Sequence, residues 1–343
     1  MQILVKTVLR RSPVYDIYWR FACERQKVFF NRLAGKQSPW TSDPIIHKYK
    51  FTNAYRALDR MSQFLIAEIV NPDAEAGLSS EDRVFRILLF KLFNKIETWQ
   101  LLEKSIGFLA WSRYSFRDYG AALSTAFNKG TTIYSAAYIM ASGKRTYGHD
   151  RKHLNHLKLL EHMMTTGIAE KIVECESMAE LYDVLLSYPL IGTFLAYQFA
   201  TDINYSDIKN FSEEEFVMAG PGARDGITKC FYDRGGFSDE DIIRHMMENQ
   251  EDEFARLGLE FRTLFGRPLK LIDCQNLFCE VGKYARVSHP QVMDGSGRSR
   301  IKQVYRMAGP LPVPSVPLKW GLSEGIRLFC EEHSPGNRGG PHG

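Results

Sequence analysis

The chain has 343 residues, 44% of them hydrophobic and 24% charged, with a formal net charge of +4 at pH 7. It is long enough to bury a large core in one or two domains, and it holds no apolar run of the length a membrane-spanning helix needs. The opening Met-Gln-Ile-Leu-Val-Lys is not expected to be a signal peptide, and six cysteines lie scattered without CxxC or zinc-ligand spacing, so reduced thiols in a cytoplasmic protein are expected.

In chain order, Pro13–Leu33 carries Tyr15, Tyr18, Trp19, Ala22, Phe29, Phe30 and Leu33 mostly three or four apart, the period of a helix. The pattern recurs over 49–70 through Phe51, Tyr55, Leu58, Met61, Leu65 and Ile69, and 71–79 reads as a polar connector. Ser80-Glu81-Asp82 caps a run over 83–94, followed by a helix over 97–106. The stretch 131–140 is ambiguous between strand and helix. Helices are expected near 117–126, 150–164, 168–175, 177–187, 193–203, 213–218, 226–232, 238–249, 250–264 and 273–283. The four prolines of 309–317 enforce extended chain, and 334–343 is expected to be a disordered tail. The architecture expected is mainly α, a single helical domain over 1–333 with two lobes at most.

Basic residues cluster at 144–153 and 298–302, acidic ones at 213–215 and 239–260. Such asymmetry suits a protein that lays one face on nucleic acid, although a solvated loop reads the same. The sequence has no GxxxxGK[ST] loop, which excludes a self-sufficient phosphotransferase of the P-loop kind. HExxH, GxSxG and the dinucleotide-binding fingerprint are absent too.

Three breaks in helical order remain. Tyr188-Pro189-Leu190-Ile191-Gly192 cuts one apolar helix and starts another at Thr193. Pro189 stops the first helix, Gly192 is expected to take a backbone geometry closed to other residues, and the next helix then offers unpaired N–H groups. Those donors can seat a phosphate; an ordinary helical hairpin has the same pattern. In 217–231, Gly220-Pro221-Gly222 reads as a rigid loop ahead of Asp225, which is expected at a helix start, as a cap or as a carboxylate facing a nucleotide. In 271–286, Asp273, Asn276, Glu280 and Lys283 share one face of a helix, with Gln275 nearby. Amides in so apolar a helix need partners, and a base edge is one candidate. The 24–66 region adds Trp40, Asn53, Arg56, Asp59 and Arg60, either a network holding helices together or a nucleotide pocket wall.

Together these segments resemble the helical domain shared by phage 5-hydroxymethyluracil DNA kinases and the α-glutamyl/putrescinyl-thymine pyrophosphorylases, a DNA-glycosylase-like group acting on bases in DNA. The similarity runs through Glu24-Arg25-Gln26, Pro39-Trp40-Thr41, Phe51-Thr52-Asn53, Tyr55-Arg56, Asp59-Arg60 and Phe93-Asn94. It continues through Glu97-Thr98, Ala137-Tyr138-Ile139, Gly192 with Ala196-Tyr197-Gln198, Gly220-Pro221-Gly222, Asp273-Cys274-Gln275-Asn276, Cys279-Glu280 and Lys283-Tyr284. The resemblance leads to the expectation of an acidic residue before Lys283-Tyr284, and this chain has Gly282 there.

The resemblance implies a helix–hairpin–helix bundle. It further implies an enzyme that flips a modified pyrimidine out of DNA and hydrolyses its N-glycosidic bond, in defence against phages with hypermodified DNA. Asp225 is then the catalytic carboxylate, with Asp273 as the second candidate. Leu190, Ile191, Gly192, Thr193, Tyr197, Gln198, Gly220, Gly222, Gln275, Asn276, Lys283, Asn53, Arg56 and Trp40 are expected to contact nucleic acid. A carboxylate suits that chemistry because positive charge develops on the sugar. A transferase or pyrophosphorylase acting on hydroxymethyl-pyrimidine in DNA, or a reader without catalysis, is the alternative. DNA with modified pyrimidines is the expected partner. No cofactor, metal, membrane or obligate protein partner is expected.

Overall fold

Helices dominate the computed structural model, which describes residues 8–292, 299–307 and 309–333. The expected tail at 334–343 and the start of the 298–302 basic cluster lie outside the described residues. Two compact units divide the chain. One gathers the described residues of Met1–Asp59, Glu213–Ser315 and Gly321–Gly343, the other Arg60–Ser212 with Val316–Trp320. No described helix is long and apolar enough to cross a membrane.

The first unit is built on the helix Leu271–Ser288, packed against Pro13–Leu33, Pro221–Cys230 and Asp239–Glu248. Pro13–Leu33 starts behind Ser12, whose hydroxyl accepts from the Val14 N–H. It buries an aromatic stripe: Tyr18 lies 4.7 Å from Phe278, ring to ring, and Trp19 5.1 Å from Phe254. Leu271–Ser288 meets Pro221–Cys230 through glycine. A Cβ on Gly226 would lie 2.0 Å from the Phe278 carbonyl oxygen, and one on Gly282 would lie 3.0 Å from the Gly226 Cα. The two backbones touch because neither residue has a side chain. Arg10–Arg11 pairs antiparallel with Phe231–Asp233, the only sheet among the described residues.

The second unit centres on Ser80–Phe93, nearly all buried from Val84 onward and flanked by Lys152–Thr165, Ile168–Glu174 and Thr193–Ile203. A helix apolar all round is one surrounded on every side. Its two buried cations are paired. Arg86 meets Asp73 at 2.6 Å and donates to the Leu109 carbonyl at 2.8 Å, while Lys91 meets Asp202 at 2.8 Å.

Several expected elements differ. The 49–70 stretch is a loop, a single turn at Arg56–Leu58 and then a helix from Arg60, because residues 52–56 hydrogen-bond to another helix rather than to one another. Residues 213–218 form no helix; Glu213 pairs with Arg267 there, at 2.8 Å. The helix expected over 226–232 starts at Pro221, since proline suits a first helical position. Residues 131–140 have no regular structure.

Candidate nucleic-acid interface

In the second unit, Met178–Leu186 ends at Ser187, and Gly192 is the N-cap of Thr193–Ile203. The Ile191 N–H donates to the Tyr188 carbonyl at 3.3 Å and closes the turn. The left-handed residue is Leu190, with φ 68°, whereas Gly192 has φ −88° and ψ 174°, open to any residue. That corrects the expected role of Gly192, because the strain of the turn falls two residues earlier. What glycine supplies is room: a Cβ there would meet nothing within 4 Å, and no side chain caps the helix that follows. Gly192 and Thr193 are exposed and Ile191 is buried. An uncapped, exposed helix start carries free N–H donors and the positive end of the helix dipole.

The basic segment sits against this hairpin. Gly143, at φ 73°, lies so close to Leu190 that a Cβ would be 2.7 Å from the leucine Cδ1. From there Lys144, Arg145 and Arg151 are exposed. Lys144 pairs with Asp150 at 2.6 Å, while Arg145 has no partner among the described residues. Tyr197 and Gln198, by contrast, are each 2% exposed and point into the core, where the Tyr138 hydroxyl donates to Gln198 Oε1 at 3.2 Å.

In the first unit the face shared by Asp273, Asn276, Glu280 and Lys283 is real, and its partner is the chain's own 51–56 segment. Asp273 Oδ1 accepts from the Arg56 N–H at 2.8 Å and its Oδ2 from the Lys270 N–H at 3.0 Å. Asn276 donates to Thr52 Oγ1 and to the Asn53 carbonyl, each at 3.2 Å. Glu280 accepts from the Thr52 N–H at 2.9 Å and from Lys283 at 2.7 Å; the Lys283 ammonium also lies 4.6 Å from the centre of the Phe51 ring. Burial pushes the Asp273 carboxyl up to about 6. Gln275 is 3% exposed and its amide nitrogen has no partner among the described residues.

Asp59 is a titratable group that the choice of site residues missed. Its Oδ1 accepts from the Asn53 N–H at 3.0 Å, and Asn53 Oδ1 in turn accepts from Arg25 at 3.0 Å. Burial, aided by the charge of Glu280, raises its carboxyl to about 7 against the pull of that N–H, Arg56 and Arg25. In the sequence it stands only among the residues of the 24–66 network or pocket wall and in the Asp59-Arg60 match, with no sign of its burial.

Asp225 is not at a helix start. Gly220 is the N-cap, Pro221 and Gly222 open the helix, and Asp225 lies a turn inside, half-buried, without a hydrogen bond or ion pair among the described residues. Gly222 lets the helix approach Cys279, whose Sγ would be 2.9 Å from an added Cβ. Lys229 is buried and donates to the Gly282 carbonyl at 2.9 Å. Trp40 lies on the surface of this unit, its indole N–H on the Lys36 carbonyl at 2.7 Å and Arg32 5.0 Å from its ring centre. Among the described residues no group of three or more His, Cys, Asp or Glu side chains could hold a metal ion.

The described residues thus form a mainly helical fold that presents an exposed, uncapped helical hairpin with a basic segment against it. Residues 12–294 match the family described as the helical domain of 5-hmdU DNA kinase, and the chain belongs to that family. A 5-hmdU DNA kinase of Bacillus phage SP10 is 26% identical over 303 residues, covering 80% of this chain and 46% of the phage protein. The chain thus spans about half the length of that relative. No solved structure matches it. These findings overturn the expected glycosylase: the relative is a kinase, a transferase, and base hydrolysis has no support in the comparison.

Proposed function

We propose that the chain binds DNA carrying 5-hydroxymethylated pyrimidines and serves a transferase acting at the hydroxymethyl group. The carrying observation is the match along most of the chain to the helical domain of kinases named for 5-hmdU in DNA. The uncapped hairpin, with the basic segment that carries exposed Arg145 packed against it at Gly143, supports it, as backbone N–H groups and guanidinium groups are what phosphates need. The match covers 46% of the phage kinase, and its family is described as the helical domain of that enzyme; the part assigned to this chain is recognition of the DNA and presentation of the base.

Binding of the purified protein to matched duplexes containing 5-hydroxymethyluracil or thymine tests this reading, together with mass spectrometry of the nucleosides after incubation with nucleoside triphosphate and cell extract. Tighter binding to the hydroxymethylated duplex and a protein-dependent mass increase on that nucleoside are expected. Equal binding to both duplexes with the nucleoside unchanged would overturn it.

A further inference from the structure

Residues 131–143 cross the second unit without regular structure and yet are pinned along their length. Thr98 donates to the Ile133 carbonyl at 2.8 Å, and the Ser135 N–H to the Phe93 carbonyl at 3.0 Å. His156 holds both arms at once: its Nε2 donates to the Ala141 carbonyl at 2.9 Å, which leaves Nδ1 to accept from the Tyr134 hydroxyl at 2.8 Å. Asn155 donates to the Ser142 carbonyl at 2.9 Å.

The tip of this strap is strained and held. Tyr138 has φ 57°, a conformation costly for an aromatic residue. Its ring is stacked on Phe194, centroids 5.4 Å apart at 18°, and lies 4.6 Å from the buried Lys91 ammonium. Phe194 belongs to the first turn after the hairpin. The next residue, Ile139, is 82% exposed, and Ala136 and Ala137 beside it are exposed and small. A lone exposed isoleucine is ordinary. One that directly follows a strained residue fixed by Phe194, Lys91 and Gln198, next to a hairpin with a basic segment against it, is not, since strain persists only where surroundings impose it.

We propose that Ile139 is an apolar wedge that enters the base stack of duplex DNA beside the target pyrimidine. An isoleucine can fill the gap left by an extruded base, and a rigid mount lowers the ordering cost of insertion. The small neighbours let the DNA backbone close around it. This inference rests on the reading that the chain binds DNA.

The test uses the full chain with a duplex carrying 5-hydroxymethyluracil next to 2-aminopurine, whose fluorescence rises on unstacking, and with Ile139→Ala and Arg145→Ala. Wild-type binding should raise the fluorescence. Ile139→Ala should melt at the same temperature and bind the duplex, but lose the rise; Arg145→Ala should bind more weakly and recover the rise at saturating protein. Bound wild type without a rise, or Ile139→Ala with a wild-type rise, overturns the wedge alone. Wild type that binds neither hydroxymethylated nor plain duplex overturns the DNA reading and the wedge with it.

Discussion

At the scale of single residues, the two carboxylates of the first unit are governed by where they are buried. Both oxygens of Asp273 accept backbone N–H bonds, so an asparagine can replace only one of them and turns its amide donors on the other. Asp273→Asn should therefore lose about 1–3 kcal/mol of stability in urea denaturation. A wild-type midpoint would show that these bonds contribute little. Asp59 and Asp273 titrate near 7 and 6 when folded, above the ordinary carboxylate value of 3.8. The folded state thus keeps protons that the unfolded chain has released, and their contribution, full below pH 4, is lost as pH rises through 6 and 7. Stability should fall between about pH 4 and 7 on their account, on the order of 1 kcal/mol for Asp59, which is partly exposed. Asp59→Asn should flatten that fall; an unchanged slope would assign it to other groups.

At the scale of elements, the contact of Pro221–Cys230 with Leu271–Ser288 depends on the absence of side chains. Gly226→Ala should destabilise by about 3 kcal/mol, measured by chemical denaturation, because a Cβ 2.0 Å from a carbonyl oxygen must push two backbones apart. The same geometry explains why Gly282 can carry no acid here: its place is against Gly226, and its carbonyl receives the buried Lys229. In the second unit, Asp73→Ala strands the Arg86 guanidinium between the Trp99 and Phe108 rings, which lie 5.0 and 4.7 Å away. It should lose about 3–5 kcal/mol, whereas Asp73→Ala with Arg86→Met should recover part of it. Helix existence was legible from apolar spacing, as Pro13–Leu33 and Thr193–Ile203 demonstrate. The 49–59 part of the 49–70 stretch misled because a loop laid along a buried helix shows apolar residues at the same intervals, whereas 60–70 is helical as expected. Gly220-Pro221-Gly222 misled because a proline that opens a helix looks, in one dimension, like one that breaks it.

At the scale of the whole molecule, DNA affinity should depend on salt, and Arg145→Ala should weaken it alike for every sequence while reducing the slope of log affinity against log salt by about 1. An unchanged slope would place the DNA elsewhere. Gly192→Ala should cost no more than about 1 kcal/mol of stability, since its backbone suits any residue and only the poorer helix cap is lost, and should weaken DNA binding by crowding the hairpin. By itself the sequence determined the helical class, the family, the hairpin and the basic segment, for each is written in local spacing or local residue order. It also marked the face of Asp273, Asn276, Glu280 and Lys283, because that face follows from helical period alone. Only the tertiary structure decided what the face holds, that Tyr197 and Gln198 belong to the core, that Asp225 stands inside a helix, and that Asp59 is buried enough to titrate near neutrality. Partners far apart in the chain, and the water they exclude, are set by packing, which no local pattern records.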